Sequence, residues 1–279
     1  MKERSIFLDG ELVPTEEPML DSLSPWVLSG RGVFETMRSY GGKIFLVNEH
    51  LERLTFGLRS LRIKTPHSLA QTKKYLYLSL KSNKLKNARL RLTVWQGKVG
   101  VRLSVIVWPY KPENKIKYTQ GFRALISHFR QDRSTRRPAI KSIDYLRFLQ
   151  AYRIARVKGK DEALLLNNRG FLVEGSRSNI FFIKHNVLFT PSLASGCLNG
   201  ITRQTVLDIA KKMKLKPQEV LSQPQELFKA DEAFLTNSLI ELMPLTYLNN
   251  KKIGQGTMGP MTAKLLKAYR RRVKAGTAY

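Results

Sequence analysis

Glu162-Ala-Leu-Leu-Leu-Asn-Asn-Arg-Gly170-Phe-Leu-Val-Glu174-Gly-Ser-Arg-Ser178 sets the architecture of the chain. Two short apolar runs, 162–166 and 171–174, flank Asn167-Asn-Arg-Gly170. Asn and Gly favour a tight turn, because both tolerate positive φ and Asn closes local hydrogen bonds. The pattern predicts a hairpin with Glu174 at the end of its second strand. A second hairpin is predicted from 179–184 and 187–190 over His185-Asn186. Gly200-Ile-Thr-Arg203 then opens a helix with Val206, Ile209, Ala210 and Met213 on one face.

On the N-terminal side of this stretch, Phe122–Phe129 reads as a strand and Ser142–Lys158 as a helix, with Lys141 at its opening. Before them Pro109-Tyr-Lys-Pro-Glu-Asn-Lys-Ile-Lys-Tyr118 is polar and holds two prolines, the composition of a linker. Earlier still, Ser5–Pro14 forms a hairpin around Asp9-Gly10. Gly32–Arg38 is a strand that turns at Gly41-Gly42 and returns through Ile44–Val47. Leu51, Leu54, Leu58 and Leu61 make one helical stripe. A second helix spans 69–85, strands follow at 88–95 and 101–108, and a last helix covers 261–273. Strands and helices segregate more than they alternate, so the class is α+β. The predicted division is a smaller N-terminal domain over 1–110, a linker over 111–118, and a larger C-terminal domain over 119–279 carrying Lys141.

The chain has 279 residues, 42% of them hydrophobic, enough for two cores. No apolar run reaches the ~20 residues that span a bilayer, and Met1-Lys-Glu-Arg-Ser-Ile-Phe7 lacks the apolar segment of a signal peptide. A cytoplasmic location and no membrane partner are expected. The single cysteine, Cys197, excludes an internal disulfide framework and, with no paired histidine motif, reads as a bystander. The net charge of +28 is spread along the chain, densest at Arg130–Arg137 and Arg270–Lys274. It reads as a basic solvated surface rather than a nucleic-acid footprint, since no RNA-binding aromatic signature or zinc spacing accompanies it.

Three features carry chemistry. A lysine forms a Schiff base best where burial or neighbouring charge keeps part of it neutral, and Lys141 has apolar flanks in Ala139-Ile140 and Ile143. A carboxylate such as Glu174, set beneath a pyridinium nitrogen, keeps that nitrogen protonated. A helix N-terminus such as Ile201-Thr202 presents unpaired N–H groups to a phosphate. Thr236-Asn-Ser238 adds hydroxyl donors, and Arg53, beside His50 on the first helix, adds a fork donor. Lysine, carboxylate and phosphate cup are together the parts that hold pyridoxal 5′-phosphate. The four histidines show no metal-ligand spacing, and no nucleophile elbow, Walker or Rossmann glycine pattern is present.

In order along the chain, Gly32-Val-Phe-Glu-Thr-Met-Arg38, Glu49-His-Leu-Glu-Arg-Leu54, Lys141-Ser142, Glu174-Gly-Ser-Arg-Ser-Asn-Ile180, Gly200-Ile-Thr-Arg203 and Thr236-Asn-Ser-Leu-Ile-Glu-Leu-Met-Pro244 resemble the class IV aminotransferases. This family of pyridoxal-phosphate enzymes includes branched-chain and D-amino-acid transaminases and aminodeoxychorismate lyase. The resemblance implies a two-domain fold type IV structure, like that of D-amino-acid aminotransferase. It further implies a homodimer with the active site between the domains, and a small amino-acid-type substrate. It makes Lys141 the Schiff-base lysine and proton shuttle, and Glu174 the partner of the pyridine nitrogen. Arg53, the Ile201 and Thr202 backbone and Ser238 become the phosphate cup, with Tyr145, Ser178 and Asn179 as further cofactor contacts. Phe34, Arg38, Arg89, Arg91 and Arg102 are the candidate substrate contacts, the arginines as carboxylate clamps. Two positions depart from the family pattern. Asp144 stands where Asn is common, adding negative charge near the lysine. Trp95-Gln96-Gly97 stands where many members have Arg before that glycine.

Thr236-Asn-Ser-Leu-Ile-Glu-Leu242 resembles the lyases more than the Thr-Gly-Thr-type transaminase pattern, and Asn87-Ala-Arg-Leu-Arg-Leu92 points the same way. The reading therefore leans to 4-amino-4-deoxychorismate lyase, which releases 4-aminobenzoate and pyruvate. The alternative is a D-amino-acid or branched-chain transaminase. The remote alternative is a basic nucleic-acid-binding protein on an inactive scaffold.

Overall fold

The computed structural model describes residues 5–14, 30–131 and 139–277. Residues 1–4 of the N-terminal segment and most of the basic cluster at 130–137 lie outside the described residues. The chain divides into two compact units. One comprises 1–111, 140–145 and 275–279; the other comprises 112–139 and 146–274.

The first unit holds β1 (Ser5–Leu8), β2 (Glu11–Pro14), β3 (Gly32–Tyr40), β4 (Lys43–Ile44), β5 (Ala88–Gln96) and β6 (Val101–Pro109). They form an antiparallel sheet in the order β2-β1-β6-β5-β3-β4. Helices α1 (Val47–Ser60) and α2 (Leu69–Ser82) belong to the same unit, the second opened by a Ser68/Gln71 capping box. Side chains alternate across a strand. Val33 and Met37 of β3 and Leu90, Leu92 and Val94 of β5 therefore share a core with Leu51, Leu54 and Leu58 of α1. Each such leucine contributes about 1.5–3 kcal/mol by leaving water. Positions of the other parity, Phe34, Thr36 and Arg38 on β3 and Arg89, Arg91 and Thr93 on β5, occupy the opposite face.

The second unit holds α3 (Lys115–Gln120), β7 (Phe122–Arg130), α4 (Leu146–Val157), β8 (Glu162–Leu166), β9 (Leu172–Gly175), β10 (Asn179–Lys184), β11 (Val187–Pro191), α5 (Ile201–Lys212), β12 (Gln218–Val220), β13 (Glu232–Asn237), β14 (Glu241–Leu248), β15 (Lys251–Lys252) and α6 (Pro260–Thr277, whose last three residues group with the first unit). Its sheet runs β12-β11-β10-β13-β14-β7-β8-β9, with β15 on β14. All five residues of β8 are buried, because β8 lies between two strands and under α4, whose Ala151 and Ala155 pack on Ala163.

Three expectations need correction. The helix predicted from Ser142 begins only at Leu146. Residues 139–145 are extended instead and bridge β3 through Val33 and Ser142. That pairing groups Lys141 with the first unit rather than with the C-terminal domain. The polar segment after Pro109 is not wholly coil either. Asn114 accepts the Lys117 N–H at 2.7 Å and caps the short helix Lys115–Gln120.

Candidate active site

In the first unit, β3 fixes the backbone of Lys141. The Phe34 N–H donates to the Lys141 carbonyl at 2.9 Å, and the Ile143 N–H to the Gly32 carbonyl at 3.0 Å. Gly32 leaves room for this approach, since a Cβ there would lie 2.9 Å from Ile143 Cδ1, besides 2.7 Å from the Trp95 Cβ on β5. The lysine Nζ lies 4.7 Å from the Phe34 ring centre and 5.9 Å from that of Tyr145. The two rings meet edge to face at 5.4 Å. Lys141, Phe34 and Tyr145 are thus brought together, with Lys141 and Tyr145 ahead of α4 rather than in a helix.

Three arginines lie on the same face of the sheet. Arg91 lies over the same Phe34 ring at 3.9 Å. Arg38 sits between the Tyr40 and Tyr110 rings at 4.2 and 4.6 Å. Arg89 faces Trp108 at 5.1 Å and pairs directly across the ladder with Arg38. Burial, and then the neighbouring Arg89 charge, lower the Arg91 pKa from its usual value. Like charges opposed on one sheet face repel, so this face favours an anion. Arg102 does not join the three: it ion-pairs with Asp9, whose other oxygen accepts the Leu103 N–H at 2.6 Å. Asp144 is exposed.

On the helix-facing side of β3, Glu35 is fully buried. Arg53 donates to it twice, Nε to Oε1 at 2.7 Å and Nη2 to Oε2 at 2.6 Å. His50 Nδ1 approaches Oε2 at 2.7 Å. Burial alone would raise the carboxyl, but the Arg53 charge and the hydrogen bonds from His50 and Arg53 outweigh it and hold Glu35 down at about 2. His50 is pushed below its usual value by burial, against the pull of Glu35. A neutral imidazole facing a carboxylate must donate, so Nδ1 carries the proton.

In the second unit, Glu174 is buried, and its Oε2 accepts the Leu198 N–H at 3.1 Å and the Asn179 amide at 3.4 Å. Asn179 also donates to the Leu198 carbonyl at 2.8 Å. A Cβ on Gly200 would collide with Asn179 Oδ1, so only glycine fits. Gly200 supplies no side-chain cap to α5, and the Ile201 and Thr202 N–H groups keep the anion-binding character of an open helix start. The loop bearing Ser238 is shaped by Asn237, whose Oδ1 accepts the Leu239 and Ile240 N–H groups at 2.8 and 2.9 Å. The neighbouring Thr236 hydroxyl is buried with no hydrogen-bond partner.

Ser178 is engaged within the protein. Its hydroxyl donates to Glu162 Oε2 at 2.9 Å, while Glu162 Oε1 accepts the Ser176 N–H at 3.1 Å and the Ser176 hydroxyl. Glu162 pins the turn that follows Glu174. Sequence reading missed this residue, as it missed Glu35. For Glu162 the signal was an acidic residue in an otherwise apolar strand, and for Glu35 an acidic residue at the strand parity of Val33 and Met37. Cys197 is buried, and burial, then the Glu174 charge, push its thiol up to about 11.

A primary amine among aromatic rings, a buried carboxylate aimed by neutral donors, and a helix start left uncapped by a side chain are the donor set that pyridoxal phosphate requires. The family model for class IV amino-transferases matches residues 32–248. The chain belongs to that family. As a class IV aminotransferase it takes pyridoxal 5′-phosphate as cofactor. It is 32% identical to a putative branched-chain-amino-acid aminotransferase of Methanocaldococcus jannaschii, with 95% of each chain covered. It is 30% identical to a D-alanine aminotransferase of Listeria monocytogenes, with 93% of each covered. The branched-chain aminotransferase of Thermoproteus uzoniensis, solved with norvaline, superposes with a TM-score of 0.90 at 30% identity, covering 99% of this chain and 96% of that one. The fold is therefore that of the fold type IV enzymes. These relatives favour the aminotransferase alternative over the lyase lean drawn from Thr236–Leu242. Lyase and transaminase share the catalytic residues named here, and a short motif does not define the substrate pocket that separates them.

Proposed function

We propose that this class IV aminotransferase transfers the amino group of branched-chain amino acids, with glutamate and its 2-oxo acid as the exchange partner. The observation that carries the reading is the cluster of Arg38, Arg89 and Arg91 on the sheet face of the first unit, where Arg91 shares the Phe34 ring with Lys141. Arginine forks suit carboxylates. A face with three of them suits a substrate with two carboxylates better than one with a single carboxylate, while the Phe34 and Tyr145 rings suit an apolar side chain. A structurally similar branched-chain amino acid aminotransferase, 28% identical, has been solved with N-(5′-phosphopyridoxyl)-L-glutamate, in keeping with a dicarboxylate partner. The 30% identity to a D-alanine aminotransferase supports a second reading, with D-amino acids as donors.

The bound cofactor supplies an electron sink for the pair left at the substrate α-carbon. Lys141 would provide the amine that holds the cofactor through its aldehyde, and the same amine would carry a proton to or from the substrate α-carbon. Glu174 would accept the pyridine N–H and keep that proton in place. The Ile201 and Thr202 N–H groups and the Ser238 hydroxyl would hold the phosphate, a role that the resemblance also gives to Arg53.

The test mixes the purified yellow protein with single L- and D-amino acids and follows the visible absorption. Bleaching by L-leucine, L-isoleucine and L-glutamate is expected. Bleaching by D-alanine alone would replace this reading with the second one. Lys141→Ala should lose turnover by more than about 10⁴-fold, since it removes both the covalent link and the proton carrier. An active variant would sink the mechanism.

A further inference from the structure

Of the two densest basic runs in the sequence, Arg270–Lys274 lies within the described residues, near the end of α6. No acidic residue occurs anywhere in that helix. Arg270 and Arg272 are taken up by carboxylates: Arg270 Nε donates to Glu241 at 2.7 Å, and Arg272 Nη1 to Asp208 at 3.3 Å. Lys267, Arg271 and Lys274 are exposed and have no ion pair among the described residues. Spaced four and three residues apart, they share one face of the helix, where like charges repel.

This row borders a groove of about 450 Å³ in the second unit. Its apolar lining comes from Met258, Ala263 and Leu266. Arg270 also lines it, but Glu241 and the Tyr118 ring, 4.8 Å away, already engage that guanidinium. The volume suits one small molecule. From Lys267 to Lys274 the helix rises about 10 Å. A single phosphate or carboxylate group meets only part of that row, whereas a chain of linked phosphates extends along it. Lysine and arginine both bind phosphate. Met258 and Leu266 offer an apolar surface to a flat heterocycle, and a thioether packs well on such a ring.

We propose that this groove binds a nucleoside triphosphate, with the phosphate chain along Lys267, Arg271 and Lys274 and the base against Met258 and Leu266. The site lies within one unit and does not depend on which amino acids the enzyme exchanges. A nucleic acid fits less well, because the row of unpaired cations is short and no aromatic ring lines the groove to stack successive bases.

The experiment titrates the holoenzyme calorimetrically, in magnesium-free buffer at low salt, with ATP, tripolyphosphate, AMP and adenosine in turn. One ATP per chain is expected, with tripolyphosphate weaker and adenosine undetected. AMP should bind about tenfold more weakly than ATP, since it brings less charge to the row. In the double variant Lys267→Glu, Arg271→Glu, ATP affinity should fall more than about tenfold, because reversing two of three charges turns attraction into repulsion. Its transamination rate without ATP should match that of the natural protein. Should that variant fail to fold, Lys267→Gln with Arg271→Gln removes the same two charges, and a loss in the same direction is expected. ATP binding that survives in the folded variant would place the nucleotide elsewhere. ATP bound no more tightly than tripolyphosphate would leave a bare polyanion surface without a place for the base. A duplex DNA fragment that displaces ATP from the natural protein, and that the variant no longer binds, would make this face a nucleic-acid surface. Each of these results, or no ATP binding at all, overturns the proposal.

Discussion

Glu35 and Glu174 are both buried carboxylates, yet they are held by opposite means. Glu35 is gripped by a guanidinium and an imidazole. The donors to Glu174 Oε2 are a side-chain amide and a backbone N–H. Charged partners stabilise each other, so removing one strands the rest in a low-dielectric interior. Neutral donors aim an oxygen without cancelling its charge, which suits a group meant to act on a cofactor. The larger kinetic effect is therefore expected at Glu174 and the larger effect on stability at Glu35.

Glu174→Ala puts that contrast at greatest risk. Its loss leaves these two neutral donors, one of which keeps the Leu198 carbonyl as partner. The melting temperature should move little and the cofactor should stay bound. Turnover should fall about 10²–10³-fold, the usual effect of deleting one preorganised electrostatic partner. Steady-state kinetics at saturating substrate would measure it. Full activity would remove Glu174 from its role, and collapse of the fold would show that its shell is as costly to empty as that of Glu35.

Acid unfolding tests the Glu35 half. The Glu35 carboxyl is at about 2 in the folded protein against an ordinary 4.5. Its stabilising effect is complete above pH 4.5 and is lost as the pH falls towards 2. At about 1.4 kcal/mol per unit, that is on the order of 3 kcal/mol. His50, lowered from 6.5, adds a loss that begins earlier, as the pH drops below 6.5. Urea unfolding of the natural protein and of Glu35→Gln at several pH values between 7 and 3 should show a stability gap that closes on acidification. A gap independent of pH would mean that Glu35 contributes through packing rather than charge.

How much of this was legible follows the distance between partners. The hairpin at 162–175 and the helix after Gly200 rest on neighbours in sequence, so turn residues and periodicity reveal them. Residues 139–145 rest on β3, about a hundred positions away. Nothing in Ile-Lys-Ser-Ile-Asp-Tyr says that its N–H groups will be satisfied there, and helix propensity further on pulled the predicted boundary back to Ser142. β3 is buried on both sides, with a pattern broken only at Thr36 and Tyr40. It shows no polar alternation, and Glu35 read as part of a motif rather than as one end of an ion pair. Arg102 looked like its three fellow arginines, and only the turn at Asp9 sets it apart. The family residues were legible as an ordered set; the residues that aim them were not.

The smallest effect tests how far the Glu174 charge reaches. Cys197 is raised to about 11 by burial first and by Glu174 second. At neutral pH only about one thiol in 10⁴ is then ionised, and the thiolate is the reactive form. The folded protein should resist thiol-labelling reagents, and labelling should report opening of the structure instead. Cys197→Ala should cost about 1 kcal/mol for the lost buried volume and leave turnover unchanged. In Glu174→Ala the labelling rate should rise, but by less than about tenfold, because burial, the larger cause, remains. A rise well beyond that would mean that the carboxylate and not the burial silences the thiol, and would make Glu174 the dominant charge in its unit, as Arg53 is the partner on which Glu35 depends in the other.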